Sequence, residues 1–305
     1  MQSLTPEKTD NVLVLGVGEL GMAVLQALAG RPGSRVTAML RPPADGHDQG
    51  GSQAETLEHL GVAYVHADAA GDSVEHLAQL FSGFDTLISC LGFAAGPGIQ
   101  RKLTQAALQS TVKRYIPWQF GVDYDAIGRG SPQPLFDEQL DVRDMLRAQT
   151  RLQWQIISTG MFTSFLFEPA LGVVDLDNNI VRALGSWDTT VTVTTPEDIG
   201  RLTARVVCEP VQGDPIVFCA GDTISYGQLA DTIERVLRRP MRREQWTIPM
   251  LRNELMAAPD DPMRKYRAVF AEGVGVAWDK SLTYNAERGI PTTTVAQWVE
   301  QHLLR

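Results

Sequence analysis

The turn Gly16-Val17-Gly18-Glu19-Leu20-Gly21 leaves few folds open, because of what lies on either side of it. It follows a short apolar run, Val12-Leu13-Val14-Leu15, with the composition of a buried parallel strand. It leads into a helix-compatible segment at 22–29, and after Gly33 into Arg35-Val36-Thr37-Ala38-Met39-Leu40, which reads as a second strand. In such a β–α–β unit the first glycine permits the tight turn, the second lets a pyrophosphate approach the backbone, and the third lets helix pack on strand. The helix N-terminus adds unpaired N–H groups and a partial positive charge. Gly16, Gly18, Glu19, Leu20 and Gly21 are therefore expected to hold a dinucleotide. The alternative is an ordinary structural turn.

The residue closing the second strand selects among dinucleotides. Sites for NAD usually place Asp or Glu about twenty residues past the glycines, on the ribose 2′-hydroxyl. Here Arg41 stands in that place, followed by Pro42-Pro43. A guanidinium suits a 2′-phosphate, with planar donors and a permanent charge. This favours NADP(H). The alternative keeps Arg41 as an exposed strand end and gives a 2′-hydroxyl to Asp45 or Asp48.

Strand and helix signals go on alternating through the first half. Strands are predicted at 61–66, 85–90, 113–117 and 154–158, and helices at 73–81, 99–109 and 134–148. The fold class is α/β: a Rossmann-type doubly wound parallel sheet with a smaller C-terminal substrate lobe. Residues 1–160 are assigned to the nucleotide-binding domain. Residues 161–305 are assigned to segments that complete the sheet and form that lobe. Beyond 160 the pattern loosens to a turn at Asn178-Asn179, a strand at 189–194, a helix start at Thr195-Pro196-Glu197-Asp198, a strand at 216–219 and helices at 226–237 and 295–304.

Ligands of such sheets lie beyond the carboxyl ends of the strands. Leu91, Gly92, Gln119 and Phe120 are expected against the cofactor. Phe93, Trp118, Tyr124, Met161 and Phe162 are expected against a flat, apolar substrate. Packing between lobes is the competing role for any one of these aromatics.

Composition narrows the partners. The net charge of −9 argues against nucleic acid. The cluster Arg235, Arg238, Arg239, Arg242 and Arg243 reads as a solvated helix end and loop. Three scattered cysteines and five unpaired histidines suggest neither a disulfide framework nor a metal site. No apolar run is long enough for a membrane span, and the polar residues 1–10 show no signal core. A cytoplasmic location is expected.

Two segments carry a family resemblance. Gln100-Arg101-Lys102-Leu103-Thr104-Gln105-Ala106-Ala107 and Val112-Lys113-Arg114-Tyr115-Ile116-Pro117-Trp118-Gln119-Phe120-Gly121 closely resemble the isoflavone reductase-like and NmrA-like group of atypical short-chain dehydrogenases. In that group the second segment reads approximately V-K-R-F-x-P-S-E-F-G. Arg41-Pro42, Ser89-Cys90-Leu91-Gly92, Thr195-Pro196-Glu197-Asp198-Ile199 and the helix from Val295 fall in the group's order. The resemblance implies NADPH binding and, in the enzymatic branch, reduction of small aromatic substrates. A second branch binds dinucleotides as a redox sensor.

Enzymes of the first branch carry a lysine in a pattern similar to F-x-x-K-x-x-V-R. The matching segment here is Phe136-Asp137-Glu138-Gln139-Leu140-Asp141-Val142-Arg143, with Gln139 in the lysine's place. A neutral amide donates and accepts hydrogen bonds but does not titrate. The family's glycine turn is also usually one residue longer. No tyrosine is followed by lysine four residues on, which counts against sugar-nucleotide epimerase or dehydratase chemistry. Lys102 reads as a surface residue. Tyr124 or Asp123 is the remaining candidate acid. The expected function is an NADPH-dependent reductase of a small aromatic or flat apolar molecule. The alternative is a non-catalytic NADP(H) sensor with a protein partner. A homodimer is left open.

Overall fold

The computed structural model describes residues 9–43, 51–209 and 213–304. Asp45 and Asp48, and the polar residues 1–8, lie outside the described residues. The chain forms two compact units, each drawn from separated segments. The first takes Met1–Trp118, Asp141–Ile156 and Ile199–Ile216; the second takes Gln119–Leu140, Ile157–Asp198 and Val217–Arg305.

The first unit is built on strands β1 (Asp10–Leu15), β2 (Ser34–Leu40), β3 (Ala63–His66), β4 (Thr86–Ser89), β5 (Arg114–Ile116) and β6 (Gln153–Trp154). They lie in the order β3-β2-β1-β4-β5-β6, with every neighbouring pair parallel. This is the Rossmann-type order, reversing direction between β1 and β4. The helices that follow the strands are α1 (Glu19–Leu28), α2 (Gly51–His59), α3 (Val74–Phe81) and α4 (Ile99–Gln109). Connections β1 to β2 and β4 to β5 step in opposite directions along the sheet. Right-handed crossovers therefore place α1 and α4 on opposite faces.

One face is sealed by Leu13, Leu15, Leu87 and Tyr115 of the sheet against Leu77, Phe81, Leu103 and Ala107 of α3 and α4. Ser73 caps α3 by accepting from His76 N at 3.2 Å. The Lys113-Arg114 pair works at the opposite end of the strands from their carboxyl edge. Arg114 pairs with Asp10 and donates to Thr86 Oγ1 at 3.1 Å, and Lys113 pairs with Asp85. That part of the motif ties β1, β4 and β5 together.

The single strand predicted at 154–158 is divided. Gln155 N still donates to Tyr115 O, but Ile156 N turns to Pro215 O. From there β7 (Ile156–Ser158) pairs with a strand far along the chain, and the partner change at Gln155 breaks the run.

The other strands are β8 (Met161–Phe162), β9 (Val174–Asp175), β10 (Ile180–Leu184), β11 (Thr190–Thr194), β12 (Ile216–Phe218), β13 (Asp222–Ser225) and β14 (Arg242–Trp246). β12 is the partner of β7. Two three-stranded sheets run β13-β11-β8 and β14-β10-β9. The other helices are α5 (Tyr124–Ile127), α6 (Leu135–Arg147), α7 (Pro196–Cys208), α8 (Tyr226–Leu237), α9 (Ile248–Ala257), α10 (Pro262–Glu272), α11 (Tyr284–Glu287) and α12 (Val295–Leu303).

The caps explain why these segments start where they do. Ser225 with Gln228, and Thr294 with Gln297, form capping boxes, an arrangement that satisfies two orphan donors at once. Asn179 takes the left-handed turn between β9 and β10 at φ 54°. In the arginine cluster, Arg243 pairs with Asp231 and Glu234, and Arg242 pairs with Glu244. Those charges are already spent on neighbours.

Candidate functional site

In the first unit the three turn glycines have three separable reasons to be glycine. Gly16 has φ +90°, and a Cβ there would stand 2.7 Å from Leu91 Cδ2. A Cβ on Gly21 would overlap the Gly16 carbonyl, so α1 sits on the end of β1 only because the side chain is missing. Gly18 is different. Its φ is −70°, and a Cβ would meet nothing within 4 Å. Neither backbone strain nor a protein neighbour demands glycine there. Gly18 is also the N-cap of α1, and no side chain caps that helix. The N-terminal N–H groups are thus presented beside an open position, the arrangement that receives a phosphate.

Glu19 is exposed in the first helical turn, while Leu20 is 5% exposed and points into the core. Leu20 can offer only its backbone. Leu91 packs on Gly16, and its carbonyl accepts from Gln100 Nε2 at 2.7 Å. Gly92 lies under the Trp118 indole, where a Cβ would come within 3.1 Å of the ring. Phe93 meets the same indole edge-on at 4.5 Å between centroids. Both rings are half-buried. The structure thus gathers Gly16, Gly21, Leu91, Gly92, Phe93 and Trp118 around the carboxyl ends of β1, β4 and β5.

Arg41 is exposed just past β2. Asp68, after β3, has its carboxyl held below the usual range, chiefly by the backbone hydrogen bond from Ala70, with the charges of Arg41 and Lys102 adding to it. Lys102 Nζ donates to Ala70 O at 2.8 Å, which gives that lysine a loop-holding role.

In the second unit the segment after Trp118 is a backbone junction. Gln119 is fully buried, and its Nε2 donates to the carbonyl of Gln139 on α6 at 2.9 Å. The Gly121 carbonyl accepts from Thr159 N at 3.0 Å and Gly160 N at 2.9 Å. Gly160 has φ +71°, and a Cβ there would overlap the Thr192 carbonyl. Phe120 is 4% exposed. The Tyr124 hydroxyl closes over Gly121, 2.5 Å from where a Cβ would stand, which accounts for the glycine of the F-G pair. Tyr124 is 2% exposed and is the N-terminal residue of α5, whose cap is Asp123.

Gln139 is fully buried, and neither atom of its amide has a hydrogen-bond partner. Phe136, one turn earlier on α6, meets Tyr124 at 5.1 Å and Tyr266 at 6.1 Å, and Tyr266 meets Phe165 at 5.7 Å. Burial pushes the Tyr266 phenol up to about 12. Met161 and Phe162 pair in β8 with Val193 and Thr194 of β11. Tyr266 and Phe165 were not among the expected residues. The signal for α10 was nonetheless present: Asp261-Pro262 is a cap followed by proline at the first helical position.

Among the described residues no cluster of His, Cys, Asp or Glu could hold a metal ion, and no helix is long and apolar enough to cross a membrane.

The NmrA-like family pattern matches residues 8–277. An NmrA-like family domain-containing oxidoreductase of Gibberella moniliformis is 44% identical over 299 residues, which is 96% of this chain and 98% of that protein. The isoflavone reductase homolog P3 of Arabidopsis thaliana is 22% identical over 265 residues, 84% of each chain. Among solved structures, AtPrR2 with NADP+ and (+)pinoresinol superposes with a TM-score of 0.81 at 15% identity, covering 97% of this chain and 99% of that one. The parallel sheet and the glycine turn are of the Rossmann type seen in the solved structures it resembles. The chain belongs to the NmrA-like family.

Proposed function

We propose that this protein is an NADPH-dependent reductase of a small aromatic or otherwise flat, apolar molecule. The observation that carries the reading is Gly18: an unstrained glycine with open space before it, at a helix N-terminus that no side chain caps. The solved structures it resembles support it, since AtPrR2 was solved with NADP+ and (+)pinoresinol.

In this reading Gly16, Gly18, Glu19, Leu20 and Gly21 seat the diphosphate through the backbone, with Leu91, Gly92, Gln119 and Phe120 also against the cofactor. Arg41 binds the 2′-phosphate. When bound, the cofactor supplies hydride, which is chemistry the protein itself cannot provide. Phe93, Trp118, Tyr124, Met161 and Phe162 contact the substrate. Gln119 fixes the α6 backbone at residue 139, so that the Gln139 amide hydrogen-bonds a substrate oxygen without exchanging a proton. Burial raises the Tyr266 phenol and makes it a weak acid at neutral pH.

Arg41→Asp tests the choice of dinucleotide. Losing a charge-assisted contact to phosphate costs about 1.5–3 kcal/mol, or roughly 10–150-fold in affinity. NADPH binding measured by calorimetry should fall by that factor, while NADH binding stays within a few-fold. Equal losses for both nucleotides would remove Arg41 from the reading.

A second reading, a non-catalytic NADP(H) sensor with a protein partner, is favoured by the replacement of a titratable lysine by Gln139. Affinities for NADP+ and NADPH measured side by side separate the two readings. Marked preference for NADPH is expected of a hydride donor. Equal affinity, or preference for NADP+, points to the sensor.

A further inference from the structure

Gln100 stands at the second position of α4, 2% exposed, and directs its amide to the backbone of another loop. Its Nε2 donates to the Leu91 carbonyl at 2.7 Å. Leu91 and Gly92 lie between the glycine turn and Trp118: the Leu91 side chain fills the place of a Cβ on Gly16, and Gly92 sits under the indole. The peptide joining them is trans, so its C=O and N–H point in opposite directions. Fixing the carbonyl toward Gln100 therefore turns the Gly92 N–H away from α4. That N–H has no acceptor among the described residues. Backbone donors withdrawn from water are normally paired, so this one stands ready for an acceptor from outside the chain.

We infer that Gln100 is a positioning residue for the cofactor: it sets the peptide between Leu91 and Gly92 so that the Gly92 N–H donates to an oxygen of the bound dinucleotide. This inference rests on the NADPH site of the reductase reading and deepens it. Gln100 itself touches no ligand and acts through the backbone. An amide can donate to the Leu91 carbonyl at any working pH, because it does not titrate. A hydrocarbon at 100 would leave that carbonyl unheld, and a carboxylate would set acceptor against acceptor. Either change lets the peptide rotate and takes the N–H off the ligand.

Gln100→Leu and Gln100→Glu, with Ser110→Ala as a matched loss at the other end of α4, test this by NADPH calorimetry and thermal melting. Ser110 is also buried, and its Oγ donates to Ala107 O at 2.8 Å. All three variants should melt below the unaltered protein. Only the changes at Gln100 should weaken NADPH binding, by about 3–10-fold, the worth of one hydrogen bond. Gln100→Glu adds a readout that a purely structural role would not move. Burial raises that carboxyl's pKa, and its protonated form regains a donor for the Leu91 carbonyl. Its NADPH affinity, taken relative to the unaltered protein at the same pH, is thus low above the raised pKa. It should return as pH falls through that pKa, between about pH 8 and pH 5.

NADPH affinity in Gln100→Leu no weaker than in Ser110→Ala would show a purely structural amide and overturn the inference. So would a Gln100→Glu protein whose relative affinity stays flat across the pH series, whatever its melting temperature does. If Gln100→Leu fails to fold, the near-isosteric Gln100→Glu series decides alone. Failure of the unaltered protein to bind NADPH would instead overturn the reductase reading beneath it.

Discussion

Alanine at Gly18 is expected to weaken NADPH binding by about 10–100-fold while costing the fold no more than about 1 kcal/mol, and alanine at Gly21 is expected to do the reverse. The two positions lie three residues apart in one turn but answer to different constraints. At Gly18 a methyl group enters open space, and the N-cap loses only its glycine preference. What it obstructs is the approach of a diphosphate to the N–H groups of α1. At Gly21 the methyl group overlaps the Gly16 carbonyl, which is held in turn by Gly16's positive φ and by Leu91 packed beside it. Rigid backbone cannot give way as a side chain does, so α1 must lift from β1. Overpacking of this kind costs about 3 kcal/mol. Thermal melting paired with NADPH calorimetry on both variants separates the effects. A Gly18→Ala protein that binds NADPH normally would show that the open position has no ligand to admit.

Gln139→Lys is expected to raise reductase activity toward aromatic ketones or enones by a factor on the order of 10²–10⁴, the usual worth of acid–base assistance. It should do so at a cost in stability, because an ammonium would replace an amide that is already fully buried. An uncompensated buried charge costs about 3–5 kcal/mol, part of which the lysine escapes by lowering its own pKa. The sign of the pH dependence follows. Burial lowers the lysine's pKa, and proton donation needs the charged form. The added activity is then present below that depressed pKa and lost as pH rises through it. The unaltered protein should lack this descending limb, since the Gln139 amide does not titrate. Initial rates across a pH series with a broad ketone and enone panel check this. Activity at background throughout would take away the main support for catalysis and favour the sensor.

Much of the first half of the chain was legible in the sequence because local rules agree there. The run Val12 to Leu15, the glycine turn and the second run specify a β–α–β unit without help from distant contacts, and the helix expected at 99–109 is found as Ile99–Gln109. The helix expected at 226–237 is likewise found, since Ser225 and Gln228 write its start into the sequence. What was hidden depends on pairing between distant segments. The strand expected at 154–158 breaks because Ile156 turns to Pro215, some sixty residues further on. Tyr266 and Phe165 join Phe136 and Tyr124 through contacts between elements remote in sequence. The role of Gln119 was equally unreadable, because its partner is a backbone carbonyl on another helix. Lys113 and Arg114, which precede the Pro117-Trp118-Gln119-Phe120-Gly121 stretch, fasten the far ends of the strands.

Titration calorimetry of the purified, nucleotide-free protein with NADPH and NADH is the most direct test of the central claim. Binding of NADPH, with NADH at least about 10-fold weaker as the loss of a 2′-phosphate contact implies, is the predicted result. Absence of heat for both nucleotides, confirmed by an unshifted melting temperature, would contradict it.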